Sequence, residues 1–220
     1  MNEIREKGYI VLKNIFSKEE LMKCQEEVLA YIKNNKQIQN AGGITIPDFI
    51  KKRELHLTSQ LKENPKLIKA LDEIFNGNNY RFCFHNDIGI NRIVGWHKDR
   101  LNGEYAKYQS IDIWSEHQGE RHEIVKVLIY LENHINDHSG LKLVPGSHLT
   151  RNLNYNNCIE LHPELGDVVI FDQRITHRGM EKQVDNPRIL VSFGFGKNNI
   201  FTDQFESGTI LRQNNQNKYL

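Results

Sequence analysis

Apolar positions along the 220-residue chain follow two different periods, and the change falls near residue 80. Before it, Leu21, Cys24, Val28, Tyr31 and Ile32 recur at helical spacing, opposite a face of Lys, Glu and Gln. Ser17 and Glu20 form the S-x-x-E box that satisfies orphan N–H groups at a helix start. A second helix is announced by Asn64-Pro65, carries Leu67, Ile68, Leu71, Ile74 and Phe75 as its buried stripe, and stops at Asn76-Gly77-Asn78. A short strand over 8–13 precedes the first helix, and the polar stretch 34–43 reads as a loop.

After residue 80 the texture becomes short β-rich runs at 80–90, 93–97, 108–114, 124–131, 141–144, 167–171 and 188–195. Turn residues separate them, among them Pro145-Gly146, Pro163 with Gly166, and Asn186-Pro187. Helices followed by strands at this spacing predict an α+β fold built on a β-sandwich or jelly roll. The expected layout is one domain over 1–220: helical support over 1–79, a jelly-roll core over 80–200 and a polar tail over 201–220, frayed over 212–218. With no βαβ alternation, G-x-G-x-x-G or Walker A sequence, nucleotide-binding α/β folds are not expected.

Composition narrows the partners. The chain has 29 Lys+Arg against 28 Asp+Glu, so nothing in its charge calls for nucleic acid or a membrane surface. Three scattered cysteines make neither a disulfide framework nor a thiolate metal cluster. With no secretory leader and no spanning apolar run, the expected location is the cytoplasm. The expected partner is a small-molecule substrate, and the oligomeric state is left open.

Ten histidines are the unusual number. In a strand, residues i and i+2 leave the same face, so His-x-Asp at a strand end aims an imidazole and a carboxylate at one point. One more histidine completes a 2-His-1-carboxylate triad with open positions for non-haem Fe(II) chemistry. Composition alone supplies about one H-x-[DE] by chance, whereas the chain has three: His85-x-Asp87, His97-x-Asp99 and His162-x-Glu164. A surface or hydrogen-bonded histidine is the plain alternative for each. Context favours His97, which ends a strand where a loop begins. The third ligand is sought at His177, which follows a buried-looking strand. The chain then turns back toward Arg188, an arginine on an apolar run whose planar fork suits a carboxylate.

In chain order, Gly95-Trp96-His97-Lys98-Asp99, the run 125–132, Gly140-Leu141, Val144-Pro145-Gly146-Ser147-His148, the run 166–172, His177-Arg178-Gly179 and Pro187-Arg188 resemble the phytanoyl-CoA dioxygenase family of Fe(II)/2-oxoglutarate oxygenases. The opening, Gly8 to Leu12 with Ser17 to Leu21, is similar as well. The resemblance implies a double-stranded β-helix core with flanking N-terminal helices, and Fe(II) held by His97, Asp99 and His177. It further implies 2-oxoglutarate, its far carboxylate on Arg188, and O₂ as co-reactant for hydroxylation, with release of succinate and CO₂. His148 lies in what the family uses as a structural turn and stays outside the triad. Gly179 departs from relatives that place a hydroxyl residue there. Asp99, being a carboxylate, favours hydroxylation over halogenation, and Gly194 stands where alkylation-repair relatives have a second arginine.

Trp114 is expected to line the cosubstrate pocket, and Lys126 and Arg100 to face substrate. The polar stretch 100–123 is expected to act as a lid. These residues lean toward a polar or anionic small substrate, such as a sugar, nucleotide-sugar or amino-acid derivative. Two other readings stay open: a cupin-like metal enzyme without redox chemistry, such as an isomerase or epimerase, and a non-catalytic jelly-roll binding module.

Overall fold

The computed structural model describes residues 2–99, 110–133, 140–179, 181 and 187–218. The N-terminal part contributes α1 (Asn2–Lys7), β1 (Tyr9–Leu12), α2 (Lys18–Asn34), β2 (Ile38–Asn40), β3 (Gly43–Pro47), α3 (His56–Gln60) and α4 (Pro65–Phe75). The remainder supplies β4 (Tyr80–Ile90), β5 (Ile124–Tyr130), β6 (Leu141–Leu143), β7 (Ile159–Leu161), β8 (Val168–Asp172), β9 (His177–Arg178), β10 (Ile189–Lys197) and α5 (Ile200–Asn217). Two antiparallel sheets face each other as in a jelly roll. The larger runs β1-β8-β5-β10-β4-β3-β2 and the smaller β7-β6-β9.

The local signals for the helices hold. Ser17 Oγ accepts the Glu20 N–H at 3.1 Å and opens α2, which buries Leu21, Cys24, Val28 and Tyr31. Asn64 Oδ1 accepts from the Lys66 and Leu67 N–H groups, Pro65 takes the first helical position, and Asn76 ends α4 in the left-handed conformation at φ 56°.

The large sheet is buried on both faces, and the strand period decides what each face meets. Val125, Val127 and Ile129 of β5, with Ile189, Val191, Phe193 and Phe195 of β10, pack with Leu21, Val28, Leu67 and Leu71 of the helices. On the opposite face Leu128 and Tyr130 meet Leu141, Leu143, Val169 and Phe171 between the two sheets. The β5–β10 register sets Gly194 opposite Lys126, Ser192 opposite Leu128 and Leu190 opposite Tyr130. Lys126 therefore points between the sheets from a central strand, not from an edge.

Several expectations give way. The polar tail over 201–220 is helical as far as Asn217: α5 is capped by Asn199 and buries Phe201, Phe205, Thr209 and Gln213. It lies close because β10 carries glycines beneath it; a Cβ at Gly196 would stand 2.4 Å from Thr202 Oγ1. Each fully buried phenylalanine contributes roughly 1.5–3 kcal/mol, so the helix belongs to the fold. The stretch 34–43 holds edge strand β2 and the start of β3. The run 93–97 is not a strand, and of 108–114 only 110–114 are described, without strand structure. Among the described residues no helix is long and apolar enough to cross a membrane.

Candidate metal centre

His97 and Asp99 lie on the segment that follows β4, and His177 begins β9. The backbones of His97 and His177 exchange two hydrogen bonds, each 2.9 Å, which lock the two histidines side by side. Their ring centroids are 4.2 Å apart. One ligand atom from each of His97, Asp99 and His177 falls within 4.8 Å of the others.

The ring orientations suit a cation. His97 Nδ1 lies 2.8 Å from the Gly95 carbonyl and His177 Nδ1 lies 3.1 Å from the Ile175 carbonyl. A carbonyl only accepts, so Nδ1 carries the proton in both rings and each Nε2 keeps its lone pair for a metal. Those nitrogens stand 3.3 Å (His97) and 3.8 Å (His177) from Asp99 Oδ1. The other carboxylate oxygen, Oδ2, is 2.7 Å from Lys126 Nζ, which leaves Oδ1 as the oxygen facing the histidines. Burial pushes the His177 pKa down to about 3, with the neighbouring His97 adding to the effect, so its imidazole is neutral at working pH. Burial works against the charge of Asp99, yet Lys126, then His177 and His97, hold its carboxyl well below the usual range.

Between His97 and Asp99, Lys98 points the other way. It is fully buried and its Nζ donates to the Ser147 and Arg174 carbonyls at 2.5 and 2.7 Å. Desolvation lowers its pKa to about 8. Alternation thus aims His97 and Asp99 into the site while Lys98 staples the segment from behind. Lys98 was not singled out from sequence; a lysine framed by two ligand candidates in an alternating stretch was the available signal.

The site opens into a cavity of about 150 Å³ lined by apolar Leu128, Leu141, Phe171 and Leu190 and by polar His85, Asp87, Arg92, Lys126 and Arg188. Arg188 sits just before β10 and is 4% exposed. Its N–H donates to Asn91 Oδ1 at 2.7 Å, Nη2 donates to Tyr130 Oη at 3.3 Å, and the guanidinium lies 5.0 Å from the Tyr130 ring centroid. Arg188 Nε is buried with no hydrogen-bond partner among the described residues. A fixed cation with an unmet donor facing a cavity fits an incoming carboxylate. Gly179 lines the same cavity without a hydroxyl, while the Tyr130 hydroxyl stands beside Arg188.

The other sequence candidates fall differently. Lys126 faces the cavity as expected, but its partner is Asp99. Trp114 does not line this cavity; its Nε1 donates to the His148 carbonyl at 3.0 Å and its ring carries Arg151 at 5.5 Å, in a separate cavity. The strand expected over 108–114 does not form in its described part. Arg100, and residues 100–109 of the expected lid, lie outside the described residues. Of the rival pairs, His85 and Asp87 line the cavity, but Asp87 is paired with Arg212 at 2.8 Å. His162 stands 3.8 Å from Glu160, away from the site. His148 serves the N-terminal turn, its Nε2 3.0 Å from the Arg5 carbonyl.

No curated protein sequence gives a significant match. Among solved structures, HygX from Streptomyces hygroscopicus, with nickel and 2-oxoglutarate bound, superposes with a TM-score of 0.68 at 15% identity over 89% of this chain and 85% of its own. The non-heme alpha-ketoglutarate-dependent epimerase SnoN from nogalamycin biosynthesis gives 0.68 at 14% identity, covering 88% and 79%. The carbocyclase SnoK from the same biosynthesis gives 0.65 at 18%, covering 89% and 82%. At these identities the likeness is one of fold. The family model for phytanoyl-CoA dioxygenase matches residues 4–189, and the chain belongs to that family.

Proposed function

We propose that this chain is an Fe(II)/2-oxoglutarate-dependent dioxygenase that hydroxylates a small polar metabolite. The observation that carries the reading is the convergence of the two histidine Nε2 atoms and Asp99 Oδ1 on one point, beside a buried guanidinium with an unmet donor. His97, Asp99 and His177 would hold the iron, a donor set suited to Fe(II) with open positions. Arg188 would receive the far carboxylate of 2-oxoglutarate, and Tyr130 Oη would supply the hydroxyl contact that Gly179 lacks. With both bound, the site has the means to couple O₂ reduction to oxidation of a substrate carbon, with 2-oxoglutarate leaving as succinate and CO₂.

The chain's own residues set the conditions. Gly95 and Ile175 carbonyls fix the imidazole tautomers, and Lys126 turns Asp99 so that a single oxygen faces the metal position. Leu128, Leu141, Phe171 and Leu190 keep water from the reacting centre. The retained carboxylate at Asp99 supports hydroxylation over halogenation. SnoN and SnoK are an epimerase and a carbocyclase, so the fate of the substrate carbon is the decisive readout. The purified protein with Fe(II), 2-oxoglutarate and O₂ should form succinate, faster with a true substrate, whose product gains one oxygen. Metal-dependent turnover of substrate without succinate would instead select the non-redox enzyme.

A further inference from the structure

The charge around the cavity does not close on iron and 2-oxoglutarate. Four cationic side chains, Arg92, Lys126, Arg188 and Arg212, stand in or directly behind its wall against two carboxylates, Asp87 and Asp99, among the described residues. Lys126 is paired with Asp99 and Arg212 with Asp87. Arg92 and Arg188 are left over. Fe(II) and the 2-oxoglutarate dianion carry equal and opposite charge, so filling the site with both leaves the excess as it was.

Arg188 has a use in the proposed function; Arg92 does not. Arg92 Nε is buried with no hydrogen-bond partner, and the residue makes no hydrogen bond or ion pair among the described residues. A guanidinium does not shed its proton, so donors left unmet in a low-dielectric wall are costly unless an anion arrives. Burial lowers the Arg92 pKa, and Asp87 is the first charge opposing that effect.

The backbone makes room for this side chain. Its stem crosses β4 at Gly89, where an added Cβ would lie 3.2 Å from Arg92 Cδ. Arg92 sits on the segment between β4 and His97, whereas Arg188 enters at the start of β10 beside Tyr130. Two forks therefore reach one cavity from different segments. One dicarboxylate, its keto-acid end on the metal, has a single far carboxylate to offer them.

We propose that Arg92 is a specificity-determining residue that seats an oxyanion, of carboxylate or phosphate type, on the molecule to be oxidised. The inference rests on the Fe(II)/2-oxoglutarate reading and narrows its substrate to an anionic small molecule.

The test uses the full chain loaded anaerobically with Fe(II) and 2-oxoglutarate. Acetate, methylphosphonate and neutral acetamide serve as probes, each read by broadening of its methyl proton signal by the iron. The charge-transfer band of the loaded protein reports 2-oxoglutarate affinity in the same samples. At least one oxyanion should be broadened beyond acetamide, and Arg92→Gln should weaken that effect roughly tenfold while leaving 2-oxoglutarate affinity unchanged. Broadening of acetate alone assigns a carboxylate, and of methylphosphonate alone a phosphate-type group. Equal broadening in Arg92→Gln, no broadening beyond acetamide, or weakened 2-oxoglutarate binding in the variant would each overturn the role of Arg92 with the metal reading intact. Absence of the band in the unaltered protein would remove the metal reading, and the proposal with it.

Discussion

Among the described residues, two places bring two histidines near one aspartate. One is His97, Asp99 and His177 at the cavity of about 150 Å³. The other is His122, His148 and Asp172, which line a larger cavity of about 580 Å³ together with Arg174 and Trp114. Residue types are alike, the second trio is the more deeply buried, and cavity size also favours it. The difference lies in what the donors are already doing. Arg174 grips Asp172 through Nη2 at 2.7 Å and Nε at 3.0 Å, and the Arg174 N–H adds a third bond at 2.8 Å. His148 Nε2 is spent on the Arg5 carbonyl, and Arg174 occupies both oxygens of Asp172. At Asp99 the counter-cation takes only Oδ2, and both imidazoles turn Nε2 inward toward Oδ1. A metal centre is made by donors whose other hydrogen bonds are satisfied elsewhere, not by the presence of the right residues.

That contrast can be broken most severely at the ligands. His97→Ala or His177→Ala should abolish the charge-transfer band formed anaerobically with Fe(II) and 2-oxoglutarate, whereas His148→Ala should retain it. A band surviving in both ligand variants would strike the triad.

The arginines sharpen the contrast at the next level. Arg174→Ala strips the clamp from buried Asp172 and should cost about 3–5 kcal/mol of stability, read from the denaturant midpoint, with 2-oxoglutarate affinity unaltered. Arg188→Ala should weaken 2-oxoglutarate roughly tenfold to a hundredfold without a comparable loss of stability. Exchanged outcomes would mean that the structural and ligand-binding arginines have been misassigned.

The smallest effect concerns pH. Burial, assisted by Lys126, pushes the His85 pKa down to about 3. Between that value and the ordinary histidine range the unfolded chain binds the extra proton and the folded chain does not. This contribution therefore favours folding above the ordinary range and is lost as pH falls toward 3. His85→Gln should show a shallower decline of stability over that interval; an unchanged slope would mean that His85 titrates normally.

Much of this was legible in the chain. The two apolar faces of β5 exposed Lys126 as an intruder, and the caps at Ser17 and Asn64 placed α2 and α4. His97, Asp99, His177 and Arg188 stood in a recognisable order. Other features were hidden for physical reasons. Part of the buried face of α5 is Gly208, Thr209 and Gln213, so its hydrophobic period is faint. Arg92 reads as an ordinary loop arginine, since only the fold shows that Gly89 makes way for it. Trp114 was expected at the cosubstrate pocket, but contacts distant in sequence, with Arg151 and the His148 carbonyl, decide where its ring rests.

The paired backbone bonds between His97 and His177, together with the Lys98 staple, bear on the entropy of metal capture. The three donors are held at the separation a cation needs by contacts that do not include the cation. Little conformational freedom remains to be lost on binding, so affinity is not reduced by a large ordering cost. Folding and metal loading are thereby separable events: the apo chain should be a finished receptor, able to lose iron and take it up again without unfolding.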